Sequence, residues 1–194
     1  MSCFEDFVEA ASRSGARYAL LGAWAVAAVV SFRTTHDVDV AVERADLWRL
    51  RAELEPLGYV LVENPRLGKL EFKHRERGDI DVYTESVSGV PVGLILERAV
   101  EAEVSGRRVS VASPEDLLLM KAAAGRERDM ADAAAILAAA GERLDWEYMA
   151  RASSELGIPL RDFLLRSLSR LPIQVSNPPK VRKALKGLVE EKLG

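Results

Sequence analysis

The stretch SFRTTHDVDVAV, Ser31 to Val42, decides how this chain is read. From Asp37 to Val42 every second residue is valine, and the residues between are Asp37, Asp39 and Ala41. That period of two marks a β-strand. Asp37 and Asp39 then project to one side, ~6.5–7 Å apart along the chain, while the valines go to the other. Two carboxylates so placed repel, and one tends to stay protonated unless a cation sits between them. A solvated sheet edge, where charge discourages pairing between molecules, is one way to carry such a pair. A hard cation that takes oxygen ligands is the other.

Working outward, the neighbouring segments favour the cation. GDIDVYT, Gly78 to Thr84, repeats the pattern with Asp79 and Asp81 on another strand. Two-metal phosphoryl-transfer sites, whose ions lie ~3.5–4 Å apart, need a third carboxylate. Asp81, inside the strand between Ile80 and Val82, is the preferred one, and Asp79, at its entrance, is the alternative. Upstream, LLGAW ends a strand at Gly22 and enters an alanine-rich helix. A glycine turn into a helix lets backbone N–H groups approach a phosphate closely. Arg33, just before the acidic strand, is placed to neutralise a phosphate oxygen or to pair with Glu43.

The remaining pattern organises the chain into two parts. Phe4, Phe7, Val8 and Ala11 predict an amphipathic helix from Cys3 to Ser14. ARYALLG, DVDVAV, YVLVE, KLEFKH and DIDVYT read as strands. RADLWRLRAELEPLG reads as a helix stopped by Pro56 and Gly58, and AVEAEV-SG-RRVSVA as a hairpin. From Ser113, an N-cap followed by proline, only helices are expected, over about 114–124, 127–140, 145–156, 159–170 and 180–192. The expected division is therefore an α/β domain over residues 1–112 and an all-helical domain over 113–194. Trp24, Trp48 and Trp146 are read as core or helix-packing residues. Lys180, Arg182, Lys183 and Lys186 are read as the wet face of an amphipathic last helix, with RNA phosphates as the alternative partner.

Composition sets the outer limits. The 194 residues are 48% hydrophobic and carry a net charge of -3, so no global basic field for nucleic acid exists. One cysteine and two histidines exclude a disulfide framework and disfavour transition-metal chemistry. No apolar run reaches the ~18 residues a membrane span needs, and no signal peptide is legible, so a cytoplasmic protein is the expectation.

Gly22-Ala23 followed by DVDV resembles the glycine-small, Asp-hydrophobic-Asp-hydrophobic signature of the nucleotidyltransferase fold shared with DNA polymerase beta. RTTHDVDV further resembles the form found in the abortive-infection type IV toxin-like branch of prokaryotic nucleotidyltransferases. MKAAAGRERDMADAAAIL, Met120 to Leu137, resembles that branch's helix pair, and the likeness runs roughly from Ala16 to Leu137. It implies a mixed, twisted sheet flanked by helices and followed by a helical domain. It also implies transfer of a nucleoside monophosphate from an NTP to a hydroxyl of an RNA, protein or small-molecule acceptor. Asp37, Asp39 and Asp81 would bind Mg²⁺ or Mn²⁺, with Asp81 able to take the acceptor's proton. Gly22, Ala23, Arg33, Lys121 and Arg128 would hold the nucleotide, and Asp129 and Asp132 would pair with nearby arginines. A tRNA or protein acceptor and a toxin–antitoxin partner are implied as well. The alternative is a non-catalytic regulatory, antitoxin or RNA-binding module on the same fold. Ala23 points that way, because the family usually has glycine or serine there.

Overall fold

A computed structural model describes residues 2–30, 35–64, 68–172 and 175–194. The first helix, α1 (Cys3–Ser14), starts where Ser2 and Glu5 form a reciprocal capping box and ends at Gly15 in the left-handed region. Its apolar stripe buries Phe4, Phe7, Ala10 and Ala11. Then follow β1 (Tyr18–Leu20), α2 (Gly22–Val29), β2 (Val38–Val42) and α3 (Leu47–Leu54), the last bracketed by single 3₁₀ turns. The next strands are β3 (Val60–Asn64), β4 (Lys69–Lys73) and β5 (Ile80–Tyr83), followed by two-residue strands β6 (Ser86–Val87) and β7 (Val90–Pro91). Helix α4 (Val92–Arg98) and the hairpin strands β8 (Val100–Val104) and β9 (Arg107–Val111) complete this part.

The main sheet has seven strands in the order β3-β4-β5-β2-β1-β9-β8. It is mixed and mostly antiparallel: β2 runs parallel to β5, and β1 parallel to β9. The strand that carries Asp39, with Asp37 one residue before its start, therefore lies in the interior of the sheet, not at its edge. Val38, Val40 and Val42 are completely buried, as are Ile80, Val82 and Phe72 on the neighbouring strands. Each such side chain contributes about 1.5–3 kcal/mol, and a one-residue slip would expose the whole set. The β8–β9 turn, Ser105-Gly106, has positive φ at both residues, the geometry that matches the twist of a two-residue hairpin.

Three features differ from the pattern reading, the first being strands β6 and β7, whose two residues each are too few to show alternation. Helix α4 was not legible in the sequence. It is short, follows a proline, and shows its apolar face only through Val92, Ile95 and Leu96. Trp48 is not a packing residue: it is 68% exposed, because Leu50 and Leu54 occupy the buried side of α3 and Trp48 lies on the other. Its ring instead has the Arg49 guanidinium 5.9 Å from its centroid.

The chain separates into two compact units, Met1–Val87 with Pro91–Ser113, and Ser88–Val90 with Pro114–Gly194. The second contains α5 (Pro114–Ala124), α6 (Glu127–Ala140), α7 (Trp146–Glu155), α8 (Leu160–Ser167) and α9 (Pro178–Lys192). Its core collects Leu117, Leu118, Ile136, Leu137, Met149, Phe163 and Leu164. The Tyr148 hydroxyl donates to the buried Asp116 carboxylate, and the Asp145 N–H donates to Glu115 at 2.9 Å. On α9, Leu185 and Val189 are buried while the basic residues stay outside. Among the described residues no helix is long and apolar enough to cross a membrane.

Candidate active site

Pairing of β2 with β5 puts Asp39 directly beside Asp81, and pairing of β5 with β4 puts Asp81 beside Glu71. Register partners share a face, with neighbouring strands ~4.8 Å apart. Three carboxylates from three strands thus form one row. Asp37 lies one residue before β2, and its Oδ1 accepts the Asp79 N–H at 3.2 Å. Asp79 is committed elsewhere: its carboxylate takes Lys73 Nζ at 2.7 Å and the His74 N–H at 3.3 Å.

Gly22 closes one end of the row. Its φ is +54°, and a Cβ placed on it would come within 2.5 Å of Asp39 Oδ2. Glycine is required here both for the left-handed backbone and for the approach of the carboxylate. The Leu21 N–H donates to the Asp39 carbonyl at 2.8 Å, which fixes where β1 stops and α2 starts. Among the described residues no side chain caps α2, and Gly22 and Ala23 are half-buried at its first turn. Those N–H groups have no intrahelical acceptor, so the positive end of the helix faces the acidic row.

The backbone at His36 and Asp37, entering the acidic strand, is held by side chains of α1 and α2. Trp24 donates its indole N–H to the Asp37 carbonyl at 3.1 Å while its ring stacks on Phe4, with centroids 4.0 Å apart. Cys3 donates its thiol to the His36 carbonyl at 2.8 Å. Gly78, φ +95°, leaves no room for a side chain, since a Cβ would run into that same carbonyl. Burial, reinforced by the Asp37 charge, pushes the Cys3 thiol up to about 11.

The sequence reading missed Lys69 and Glu71. The Lys69 ammonium pairs with Asp81 and lies 3.0 Å from Glu71, with 11% of its side chain exposed. Glu71 also accepts from Asn64 Nδ2 at 3.4 Å and has Lys73 at 3.6 Å. Burial alone would lower the Lys69 ammonium, but its bonds to Asp81 and Glu71 outweigh this and hold it above the usual lysine range. The bond from Lys69 holds Glu71 below the usual carboxylate range. The signal was the alternation Lys69-Glu71-Lys73 in KLEFK, which puts three charges on one face of a strand whose neighbour is DIDV.

The other residues that the sequence singles out are Arg33 and, in the second compact unit, Lys121, Arg126 and Arg128. Arg33 lies outside the described residues. Lys121, on α5, is buried and bonds Asp132 at 2.7 Å and approaches Asp129 at 3.5 Å. Arg126 pairs with Asp129 at 2.5 Å, and Arg128 is exposed on α6.

Carboxylate oxygens sharing one face suit a hard divalent cation in chemical type. Among the described residues, however, no three His, Cys, Asp or Glu side chains are grouped as a metal ion requires. The reason is visible in the bonds: Asp81 is turned to Lys69 and Asp37 to the Asp79 backbone. Asp37 and Asp39 fit such an ion as oxygen donors; Asp81 fits it only while shared with an ammonium.

A mixed sheet flanked by helices, a glycine turn into a helix, and aspartates on adjacent strands define a nucleotidyltransferase fold. A family model described as "Uncharacterised nucleotidyltransferase" matches residues 15–171, and the chain belongs to that family. Among solved structures, the lincomycin-bound lincosamide antibiotic adenylyltransferase LnuA aligns at TM-score 0.53 and 20% identity, over 66% of this chain and 90% of that one. That likeness establishes the shared fold. An antigenic nucleotidyltransferase-like protein from Paracoccidioides brasiliensis aligns at TM-score 0.48 and 15% identity, over 98% of this chain and 94% of that one. A tRNA nucleotidyltransferase complexed with a primer tRNA and an incoming ATP analogue aligns at TM-score 0.40 and 16% identity, over 95% and 61%. No curated protein matches the chain.

Proposed function

We propose that this protein transfers a nucleoside monophosphate from an NTP to an acceptor hydroxyl of an RNA, a protein or a small molecule, releasing pyrophosphate. The observation that carries this reading is the registration of Asp39 with Asp81 beside the Gly22 turn. Asp37 and Asp39 would hold Mg²⁺ or Mn²⁺, which supplies neutralising charge at the phosphates when bound. The first-turn N–H groups of Gly22 and Ala23 would receive the β- and γ-phosphate oxygens, for which alanine's missing hydroxyl is not needed. Asp81 would orient the acceptor hydroxyl, and Arg33 would neutralise a phosphate oxygen. Catalysis of this kind is mostly positioning and electrostatic stabilisation. Lys121, buried between two aspartates, serves as a lock of the helical unit in this reading. Its cluster with Arg126, Asp129 and Asp132 supports a place in the abortive-infection-like branch.

The test is incubation with each α-labelled NTP, Mg²⁺ or Mn²⁺, and either tRNA, a protein mixture or small hydroxylic acceptors. Label should appear on one acceptor class and vanish in Asp39→Asn, which keeps the side chain's shape and removes its charge. Equal labelling by the variant would refute the assignment. One observation favours a second reading, a nucleotide-binding module without turnover: the third carboxylate is already paired with Lys69. NTP binding that needs Gly22 but yields no labelled product would select it.

A further inference from the structure

We infer that Lys69 is a built-in cation that makes the acidic face a one-metal site, the ammonium standing beside Asp81 where a second ion would otherwise sit. The inference rests on the nucleotidyl-transfer reading and sharpens it.

The argument begins with charge. Asp39, Asp81 and Glu71 stand in register on three adjacent strands. The Asp81 and Glu71 side chains are only 17% and 10% exposed. Carboxylates so close and so dry do not both ionise without a positive partner. Lys69 is that partner, bonded to both. With Asp37 counted, four carboxylates less the Lys69 ammonium leave three negative charges; Lys69 meets the charge at Asp81, and one divalent ion matches those of Asp37 and Asp39. Adding a second divalent ion would force a buried ammonium against a dication.

Geometry agrees with this. Lys69 lies within β4, two residues from Glu71 and therefore on the same face, and it is paired across to Asn64 of β3. Asn64 donates to the other Glu71 oxygen at 3.4 Å, and Lys73 lies 3.6 Å from the oxygen that Lys69 binds. Glu71 and Asn64 thus place the ammonium, and the ammonium places Asp81. A lysine from a mobile surface loop could yield to an incoming ion at little cost. One fixed in a strand and nine-tenths covered cannot leave without reducing the support of buried Glu71 to Asn64 at 3.4 Å and the more exposed Lys73 at 3.6 Å. Lys69 is a positioning residue: it fixes the charge and direction of Asp81 and leaves Asp37 and Asp39 to take the ion that accompanies the triphosphate.

The experiment is a Mn²⁺ titration of the full chain with a non-hydrolysable NTP analogue, read by electron paramagnetic resonance of free Mn²⁺. One bound ion per chain is expected, rising to two in Lys69→Met and returning to one in Lys69→Arg. If Lys69→Met does not fold, the double variant Lys69→Met/Glu71→Gln removes the acid left with weaker support, keeps Asp81, and is also expected to bind two. Two ions in the wild type, or one in every folded variant, would overturn the inference and leave the proposed reaction standing. No Mn²⁺ bound by the wild type, with or without the analogue, would sink the reaction and the inference together. A merely structural ion pair would change the unfolding midpoint of these variants and not the ion count.

Discussion

Gly22 shows what a single residue can fix. Its φ of +54° costs an alanine ~1–2 kcal/mol in backbone alone, and the added Cβ would meet Asp39 Oδ2 at 2.5 Å. Gly22→Ala is therefore expected to lose NTP binding and to lower stability in urea denaturation by more than that backbone figure. The double variant Gly22→Ala/Asp39→Ala should recover the part due to the clash but not the part due to φ, a coupling that a double-mutant cycle isolates. Cys3 carries a different expectation. Its thiol is pushed from 9.0 to about 11 by burial and by the Asp37 charge. The unfolded thiol ionises first, so the stabilisation is intact below pH 9 and declines between about pH 9 and 11. The stability difference between wild type and Cys3→Ala should accordingly shrink from pH 8 to pH 10.5 by an amount on the order of 1–2 kcal/mol. A difference that stays constant with pH would show that Asp37 and burial do not control this thiol.

At the scale of elements, the helix pair α5–α6 carries its own ion-pair lock. Lys121 is 7% exposed and faces Asp132 and Asp129, which are 7% and 4% exposed. Removing one partner of such a buried group strands the others, at ~3–5 kcal/mol. Lys121→Met should cost an amount in that range by chemical denaturation, and Asp132→Asn less, since Asp129 remains beside the ammonium. Loss of NTP affinity in Lys121→Met without loss of stability would return this lysine to the nucleotide. Elements with strong periodicity were legible in the sequence. The apolar spacing of α1, the alternation of β2, the Ser-Gly hairpin and the Ser-Pro start of α5 all state their structure locally, whereas α9 begins at Pro178, inside what reads as a proline-broken linker. Helix α4 did not, because seven residues after a proline hold too few turns to show a period. Trp48 misled for a related reason: an aromatic ring raises the odds of burial, but the leucine spacing of α3 had already assigned the inner face. The acidic pair was visible as a pattern, while Lys69 was not. Its meaning depends on which strands become neighbours, and strand order is a property of the whole sheet.

The whole molecule bears on which acceptor the proposed transfer would use. A nucleic-acid acceptor demands neutralised phosphates, and each one released from its counterions steepens the salt dependence. The chain's net charge is -3. The basic residues of α9, the natural candidates for such a footprint, are partly spent on their own helix and its surroundings. Lys186 lies 3.7 Å from Glu190, Lys192 lies 2.9 Å from Glu191, and Arg182 donates to the Leu168 carbonyl at 3.0 Å. The hairpin arginine Arg108 is matched to Glu101 at 3.2 Å. For the proposed transfer, the net charge of -3 favours an acceptor held by shape and hydrogen bonds over one held by its phosphates. The acceptor KM should then change by less than about threefold between roughly 50 and 200 mM salt, whereas six to ten phosphate contacts would weaken binding by about 10³–10⁵ over that range. Initial rates measured at fixed NTP over a series of KCl concentrations, with kcat followed separately to exclude a general salt effect, decide the matter. A steep loss confined to KM would mean that Lys180, Arg182 and Lys183 do form a polyanion footprint and that the acceptor is RNA. A flat KM would leave a protein or small-molecule hydroxyl as the acceptor of the proposed transfer.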